Sequence, residues 1–123
     1  MTKSLFIVGI GSFFGGALRY YISTLLRSCC NQNFPWGTLT VNLLGCLIFG
    51  VLFAIFHKAG STHDSWSLLL TTGLCGGFTT FSTFANESVQ MLQVGNYLGF
   101  ATYITTSIIL GLALVIIGYW IAS

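Results

Sequence analysis

Only six of the 123 residues are Asp, Glu, Lys or Arg, which is 5% of the chain. Soluble domains carry about 25% of these residues. Hydrophobic residues make up 54% of the sequence and the mean hydropathy is +0.87. Such a composition excludes a soluble globular domain, a disordered chain and a nucleic-acid binder with a basic patch. The sequence therefore predicts a polytopic, all-α membrane protein whose solvent is the lipid bilayer.

Four apolar runs account for almost the whole chain. They cover about residues 4–26, 36–56, 66–94 and 97–121, and each has the roughly 20 residues that a spanning helix needs. Trp36, Trp66, Tyr97 and Trp120 fall near the predicted span ends, where aromatic belts lie. We expect residues 1–123 to form a single domain of four membrane helices.

The third run contains Gly76-Gly77-Phe78-Thr79-Thr80 in its middle. Two glycines beside β-branched residues make a place where a helix can break. Lipid cannot satisfy the backbone groups that a break frees, so they must be buried in protein, line water or bind an ion. The alternative is a continuous helix whose glycines lie on a packing face.

The positive charges show no bias between the two sides of the membrane. Lys3 and Lys58 lie on the side of the N-terminus. Arg19 and Arg27 belong to the other side, because Arg19 is far enough along the first span for its side chain to snorkel to that interface. A tie predicts insertion in both orientations, and hence antiparallel pairing of two copies. A single topology dominated by one arginine is the alternative.

Catalytic chemistry has no candidate residues. The chain has one Asp and one Glu, far apart, and no hydrolase, zinc-protease or nucleotide-binding motif. His57 and His63 share a polar loop with Lys58, which indicates a solvated interface more than a metal site. The four cysteines form no disulfide pattern and are expected to act as small hydrophobic residues.

Neutral polar side chains recur on three spans. Thr38 and Asn42 share a face of the second span because they are four residues apart. An amide inside the membrane is costly without a partner. Further polar groups follow on the third and fourth spans: Thr79, Thr80, Ser82, Thr83, Glu87, Thr102, Tyr103, Thr106 and Ser107. These hydroxyl groups either bond back to their own helix or form a shared hydrophilic track.

Phe81 and Phe84 lie three residues apart beside the hydroxyl groups of the third span. Core or lipid packing is the ordinary role of such rings, but a ring edge is weakly positive and can face an anion. The track therefore suits an anion better than a cation. A proton-coupled exporter remains the alternative, because Glu87 is an intramembrane carboxylate.

Three segments resemble the CrcB/Fluc fluoride channel family. They are Gly15-Gly16-Ala17-Leu18-Arg19-Tyr20, Trp36-Gly37-Thr38-Leu39-Thr40-Val41-Asn42 and Gly76-Gly77-Phe78-Thr79-Thr80-Phe81-Ser82-Thr83-Phe84. The resemblance extends over essentially the whole chain, in length, span number and motif order.

The resemblance implies an antiparallel homodimer of four-helix subunits with a broken third helix and two fluoride pathways. It places a structural sodium ion at the dimer centre, held by the main-chain carbonyls of Gly76 and Thr79. No organic cofactor is expected. The pathway residues it implies are Thr38, Asn42, Phe81, Ser82, Thr83, Phe84, Tyr103 and Ser107, with Arg19 at a vestibule or interface and Glu87 nearby.

The resemblance also implies passive fluoride exit across the inner membrane of a bacterial cell. Three rival functions differ in what they require. A small dual-topology multidrug exporter is expected to have a carboxylate in its first span, and this first span has none. An assembly subunit of a larger membrane complex would show no flux alone, and a membrane enzyme would need reactive residues.

Overall fold

The computed structural model describes residues 1–29, 34–61 and 64–123, and every regular element in these ranges is helical. Helix α1 is Thr2–Cys29, α2 is Trp36–Lys58 and α3 covers residues 65–78. After a break, α4 is Ser82–Gln93 and α5 is Tyr97–Ala122. The predicted four spans are confirmed, since α1, α2, the pair α3–α4 and α5 are each long and apolar enough to cross a membrane.

The helix ends follow from local chemistry. Pro35 precedes α2 and has no amide proton to leave unpaired, while its carbonyl accepts the Leu39 amide at 3.1 Å. The turn before α5 uses Gly95 at a φ of +80°, which suits a residue without a Cβ. Asn96 then caps α5, because its Oδ1 accepts the Gly99 amide at 3.0 Å.

Helix α3 is wound unusually. Its two ends, Ser65–Ser67 and Gly76–Phe78, are α-helical, but Leu68–Cys75 between them is a π-helix. Such winding is rare and is frequently found at functional sites. The sequence analysis did not predict it, because the apolar pattern of this segment does not distinguish π from α winding.

Glycines bring the helix backbones together in two places. A Cβ on Gly77 would lie 2.6 Å from the Ser12 carbonyl oxygen, so α3 sits directly against the backbone of α1. In the same way, a Cβ on Gly50 of α2 would meet the backbone of Val115, and one on Gly118 of α5 would meet that of Leu47. Close backbone approach through small residues is the usual means of helix association in membranes. The result is two tight pairs, α1 with α3 and α2 with α5.

The interior of the single subunit is small. Leu39, Met91 and Tyr103 form its buried cluster, with Phe34 and Phe84 packed against them. Much of the remaining apolar surface faces outward, including large side chains along α1 and α5 such as Phe13 and Ile116. An apolar exterior of this kind is stable only in a bilayer or against another apolar surface.

Candidate functional site

The third span breaks at residues 79–81. Thr79 leaves the helix with φ −92° and ψ 160°, and helical structure resumes at Ser82. The predicted break is therefore confirmed, but Gly76 and Gly77 themselves remain helical. The reason is that Gly77 is held against α1, so the chain turns out of the helix only after this contact ends.

Asn42 on α2 satisfies the backbone of the break. Its Nδ2 donates to the Thr80 carbonyl at 3.0 Å, and its Oδ1 accepts the Thr80 amide at 2.8 Å. The side-chain amide thus replaces both hydrogen bonds that Thr80 loses by leaving the helix. This pairing supplies the partner that an intramembrane Asn requires, and one Nδ2 proton is left over.

Two threonine hydroxyl groups secure the ends of the break. The Thr79 hydroxyl and the Thr79 amide both donate to the Cys75 carbonyl, each at 3.1 Å. The Thr80 hydroxyl accepts the Thr83 amide at 3.3 Å and so caps the first turn of α4. The Thr79 hydroxyl therefore bonds back to α3, the helix that it ends, whereas the Thr80 hydroxyl accepts a hydrogen bond from α4, the helix that follows.

Arg19 reaches the same region from α1. Its Nε donates to the Gly77 carbonyl at 3.2 Å, and its side chain is half-buried. Arg19 therefore has a main-chain partner beside the break, which the snorkelling argument did not include.

Several carbonyl groups at the break are left open. No hydrogen bond from any described residue reaches the carbonyls of Gly76, Phe78 or Thr79, although those of their neighbours are occupied. The last carbonyls of a helix lack intrahelical partners. Open carbonyl oxygens of this kind are suitable ligands for a hard cation.

Four aromatic rings form a row that leads away from the break. The centroids of Phe81 and Phe84 are 5.9 Å apart, those of Phe84 and Tyr103 are 5.0 Å apart, and those of Tyr103 and Phe34 are 5.5 Å apart. Phe81 is 79% exposed in the single subunit, whereas Tyr103 is fully buried. Neighbouring rings in the row are inclined to one another by 50°, 56° and 80° and are not stacked, and ring edges are weakly positive.

Polar groups follow this aromatic row. The Tyr103 hydroxyl donates to Glu87 Oε1 at 3.1 Å, and the Thr38 side chain is a polar neighbour of the same hydroxyl. One turn further along α5, the buried Ser107 hydroxyl has no hydrogen-bond partner among the described residues. Buried polar groups are normally paired, so this hydroxyl is available to something else.

The two α4 hydroxyl residues of the predicted pathway differ in exposure. Ser82 is exposed and Thr83 is half-buried. Both lie in the first turn of α4, directly after the break.

A cavity of about 590 Å³ opens at the end of the row that Phe34 occupies. Thr38 and Glu87 line it, so it meets the Tyr103 hydrogen-bond network. The sequence analysis missed three of its polar lining residues, Arg27, Gln90 and Asn96. No spacing signal could have found them, because they lie on three different segments that only the fold brings together.

The remaining polar candidates lie away from this site. His57 stacks on Phe53 with centroids 5.8 Å apart near the end of α2, and His63 and Cys30 lie outside the described residues. Within the described ranges, no group of three or more His, Cys, Asp or Glu residues is placed to hold a metal. Cys46 and Cys75 lie within spans and are free thiols.

The fold and the site define a small multi-pass membrane protein built around a broken, polar-lined helix. Comparison with known proteins gives the family. The family model described as CrcB-like protein, Camphor Resistance (CrcB), matches residues 6–119. The chain therefore belongs to the CrcB family, as its motifs predicted.

Relatives of similar length are named as channels. The fluoride-specific ion channel FluC of Phocaeicola vulgatus is 45% identical over 121 residues, which cover 98% of this chain and 99% of that protein. The channel of the same name from Leptospira interrogans is 40% identical, with 97% and 94% of the two chains covered. That of Escherichia coli O1:K1 is 44% identical, with 100% and 97% covered. Ion channels are a non-enzymatic class, in agreement with the prediction that this chain is not an enzyme.

Proposed function

We propose that this protein is a fluoride-selective channel that lets fluoride leave the cytoplasm passively across a bacterial inner membrane. The observation that carries the proposal is the extent of the match. The family match and the relatives named as fluoride channels cover the entire broken-helix site, from Arg19 to Ser107. The bacterial source of these relatives supports the location.

The site's chemistry supports a small anion. Fluoride is strongly hydrated, so its entry requires donors that replace water. The unpartnered Ser107 hydroxyl, the spare Nδ2 proton of Asn42 and the hydroxyl groups of Ser82 and Thr83 can supply such donors. The edges of Phe81 and Phe84 supply weakly positive walls. Chloride is larger and accepts weaker hydrogen bonds, so the same donors favour it less.

The carboxylate of Glu87 has a hydrogen-bond partner. Glu87 accepts the Tyr103 hydroxyl, which keeps the carboxylate at the wall beside the cavity. Arg27 lines the same cavity and offers a positive charge to an entering anion. The cavity thus carries one positive and one negative side chain, Arg27 and Glu87, and the groups proposed beyond it are neutral donors, which suit an anion.

The active assembly in this proposal is an antiparallel homodimer with two pathways. Phe81 is largely exposed in the single subunit, and so are apolar side chains along α1. A second copy against the break would cover such surface and complete the walls of each pathway. The near balance of positive charges supports insertion in both orientations.

A structural sodium ion at the centre of the dimer is the finer part of the proposal. The carbonyls of Gly76 and Thr79, which would hold it, receive no hydrogen bond in the described chain, so the donor set fits. Carbonyl oxygens suit sodium because it is a hard cation. Bound there, the ion would neutralise the dipoles that converge at the break.

The deciding experiment is anion release from liposomes. The purified protein is reconstituted into vesicles loaded with potassium fluoride or potassium chloride, and efflux is followed after valinomycin is added. We expect rapid fluoride release and negligible chloride release. A folded protein that releases neither anion contradicts the proposal and directs attention to Glu87 and proton-coupled transport. Equal release of both anions contradicts fluoride selectivity.

A further inference from the structure

Arg19 places a permanent positive charge next to the break, where a charged side chain is costly. Its partner, Gly77, is 58 residues away in sequence and only two residues before Thr79. Charged groups inside spans are rare and generally mark functional positions. Its contact with the Gly77 carbonyl therefore needs an explanation beyond the satisfaction of one hydrogen bond.

The carbonyls around Arg19 are divided between occupied and open groups. The Gly77 carbonyl accepts Arg19, while those of Gly76 and Thr79 receive nothing from the described residues. Successive carbonyls of an α-helix are about 100° apart around the axis. Fixing the Gly77 carbonyl toward α1 therefore sets the direction of the Gly76 carbonyl as well.

The packing of the two glycines agrees with this division. A Cβ on Gly77 would overlap the backbone of Ser12, so this residue faces α1. A Cβ on Gly76 would meet only the Thr71 carbonyl oxygen, at 3.9 Å, and Gly76 is exposed in the single subunit. Gly76 thus faces away from α1, on a side where the described residues leave it exposed.

The sequence of α1 also leaves room for the Arg19 side chain. Apart from its chain neighbours and the backbone of α1 itself, the nearest heavy atom to a Cβ built on Gly16 is Nη2 of Arg19, at 4.0 Å. The guanidinium therefore lies over Gly16, where α1 carries no side chain of its own. This arrangement lets the Nε–H reach Gly77 across the surface of α1.

We propose that Arg19 is a positioning residue for the cation-binding carbonyls at the break. By holding the Gly77 carbonyl on the α1 side, it keeps the Gly76 carbonyl turned away from α1, so that this carbonyl and that of Thr79 stay open for a cation. This inference rests on the sodium site of the proposed function, and it assigns to Arg19 a role in cation affinity rather than in fluoride conduction.

Ser12 provides a matched control on the same pair of helices. Its hydroxyl donates to the Gly73 carbonyl at 3.3 Å, four residues before Gly77. Both contacts join an α1 side chain to an α3 carbonyl, but only the Arg19 contact lies next to the open carbonyls. Loss of the Ser12 contact should weaken the helix pair without altering cation binding.

The test is sodium binding measured without fluoride flux. The unfolding temperature of the detergent-purified protein is recorded over a series of sodium concentrations, with N-methylglucamine keeping the ionic strength constant. Sodium that binds only the folded protein raises this temperature by mass action. Retention of radioactive sodium by the purified protein provides the second readout.

We expect R19Q to need about tenfold more sodium than the unchanged protein for the same stabilisation, because it loses a charge-assisted hydrogen bond. R19K keeps the charge but not the Nε–H, so its sodium requirement should lie between those of R19Q and the unchanged protein. S12A should lower the unfolding temperature equally at every sodium concentration.

An R19Q or R19K protein that behaves like S12A, with an unchanged sodium midpoint, overturns the inference. If the unchanged protein shows no sodium dependence and retains no sodium, the sodium site itself is absent and the inference falls with it. The fluoride-channel proposal is decided separately by the liposome assay, which does not depend on Arg19.

Discussion

At the scale of single residues, Asn42 shows how far sequence reasoning reaches. The sequence indicates that an amide in mid-span needs a hydrogen-bond partner. The sequence also identifies the third span as the one that breaks. It does not show that the partner is the main chain of Thr80, because this pairing depends on how α2 crosses the break. The amide therefore has a structural task that its polarity alone did not reveal, in addition to the pathway role proposed for it.

The Asn42→Asp substitution tests this structural task. Aspartate can still accept the Thr80 amide, but it has no proton for the Thr80 carbonyl and sets a carboxylate oxygen against it. We expect a loss of about 1–3 kcal/mol in the free energy of unfolding, together with loss of fluoride release. Thermal unfolding in detergent and liposome efflux measure the two effects.

Asn96 supplies the control for that substitution, because among the described residues its side chain is hydrogen-bonded through Oδ1 alone, by the Gly99 amide. Asn96→Asp keeps this acceptor and should leave the unfolding temperature unchanged within error. Equal stability of the Asn42→Asp and Asn96→Asp proteins would contradict the structural role of Asn42.

Ser107 makes the opposite case, since its hydroxyl is buried and has no partner among the described residues. Removing such a hydroxyl costs no hydrogen bond to the described part of the chain. We therefore expect Ser107→Ala to keep its unfolding temperature while fluoride release falls about tenfold, which is ~1.4 kcal/mol in the barrier. Ser88→Ala is the control, because that hydroxyl is bonded to the Phe84 carbonyl at 2.8 Å. Unchanged release from the Ser107→Ala vesicles would remove Ser107 from the pathway.

At the scale of helices, the third span shows what could be predicted and what could not. The run Gly76-Gly77-Phe78-Thr79-Thr80 identifies the broken span, but the glycines remain helical and the chain turns only at Thr79. The π-helical winding of Leu68–Cys75 could not be predicted either, since it accompanies close contact between α1 and α3. The residue preferences of the third span indicate that it can leave α-helical structure. Its packing against α1 determines at which residues it does so, and whether by a break or by π-helical winding.

The two adjacent glycines of this span give a paired prediction. Gly77→Ala forces a methyl group into the Ser12 backbone and should cost about 1–3 kcal/mol of unfolding free energy. The methyl group of Gly76→Ala meets only the Thr71 carbonyl oxygen, at an ordinary van der Waals distance of 3.9 Å, so in a separate subunit the substitution should be neutral or stabilising by up to about 1 kcal/mol. Thermal unfolding in detergent distinguishes them.

The same pair also reports on the dimer. Size-exclusion chromatography shows whether either variant is monomeric. A Gly76→Ala protein that folds but no longer dimerises indicates that a second copy covers Gly76. Equal destabilisation of both monomers would contradict the packing difference seen between Gly76 and Gly77.

At the scale of the whole molecule, the structure changes the charge balance on which dual topology was predicted. Lys3 and Lys58 remain on one side, and Arg27 remains on the other. Arg19 is bound to the Gly77 carbonyl inside the span and no longer counts as a loop charge. The balance becomes two against one, which is still a weak bias. A bias this small should be reversible by single substitutions.

Opposed charge variants therefore test the antiparallel assembly. Arg27→Gln leaves Lys3 and Lys58 and should insert mainly with these residues in the cytoplasm. A protein with Lys3→Gln and Lys58→Gln keeps only Arg27 and should insert mainly the other way. If an active channel needs both orientations, each variant expressed alone should protect cells against fluoride poorly, because most of its copies share one orientation. Co-expression of the two should restore it.

The restoration separates orientation from a local effect at the cavity that Arg27 lines. If Arg27→Gln lowers activity locally at the cavity of its own subunit, a partner subunit will not restore that activity. If it lowers activity because all subunits have one orientation, subunits of the opposite orientation will restore it. Arg27→Lys keeps the charge and should be fully active alone. If each oriented variant exports fluoride normally by itself, the functional unit does not require antiparallel copies, and the two pathways must be formed within subunits of one orientation.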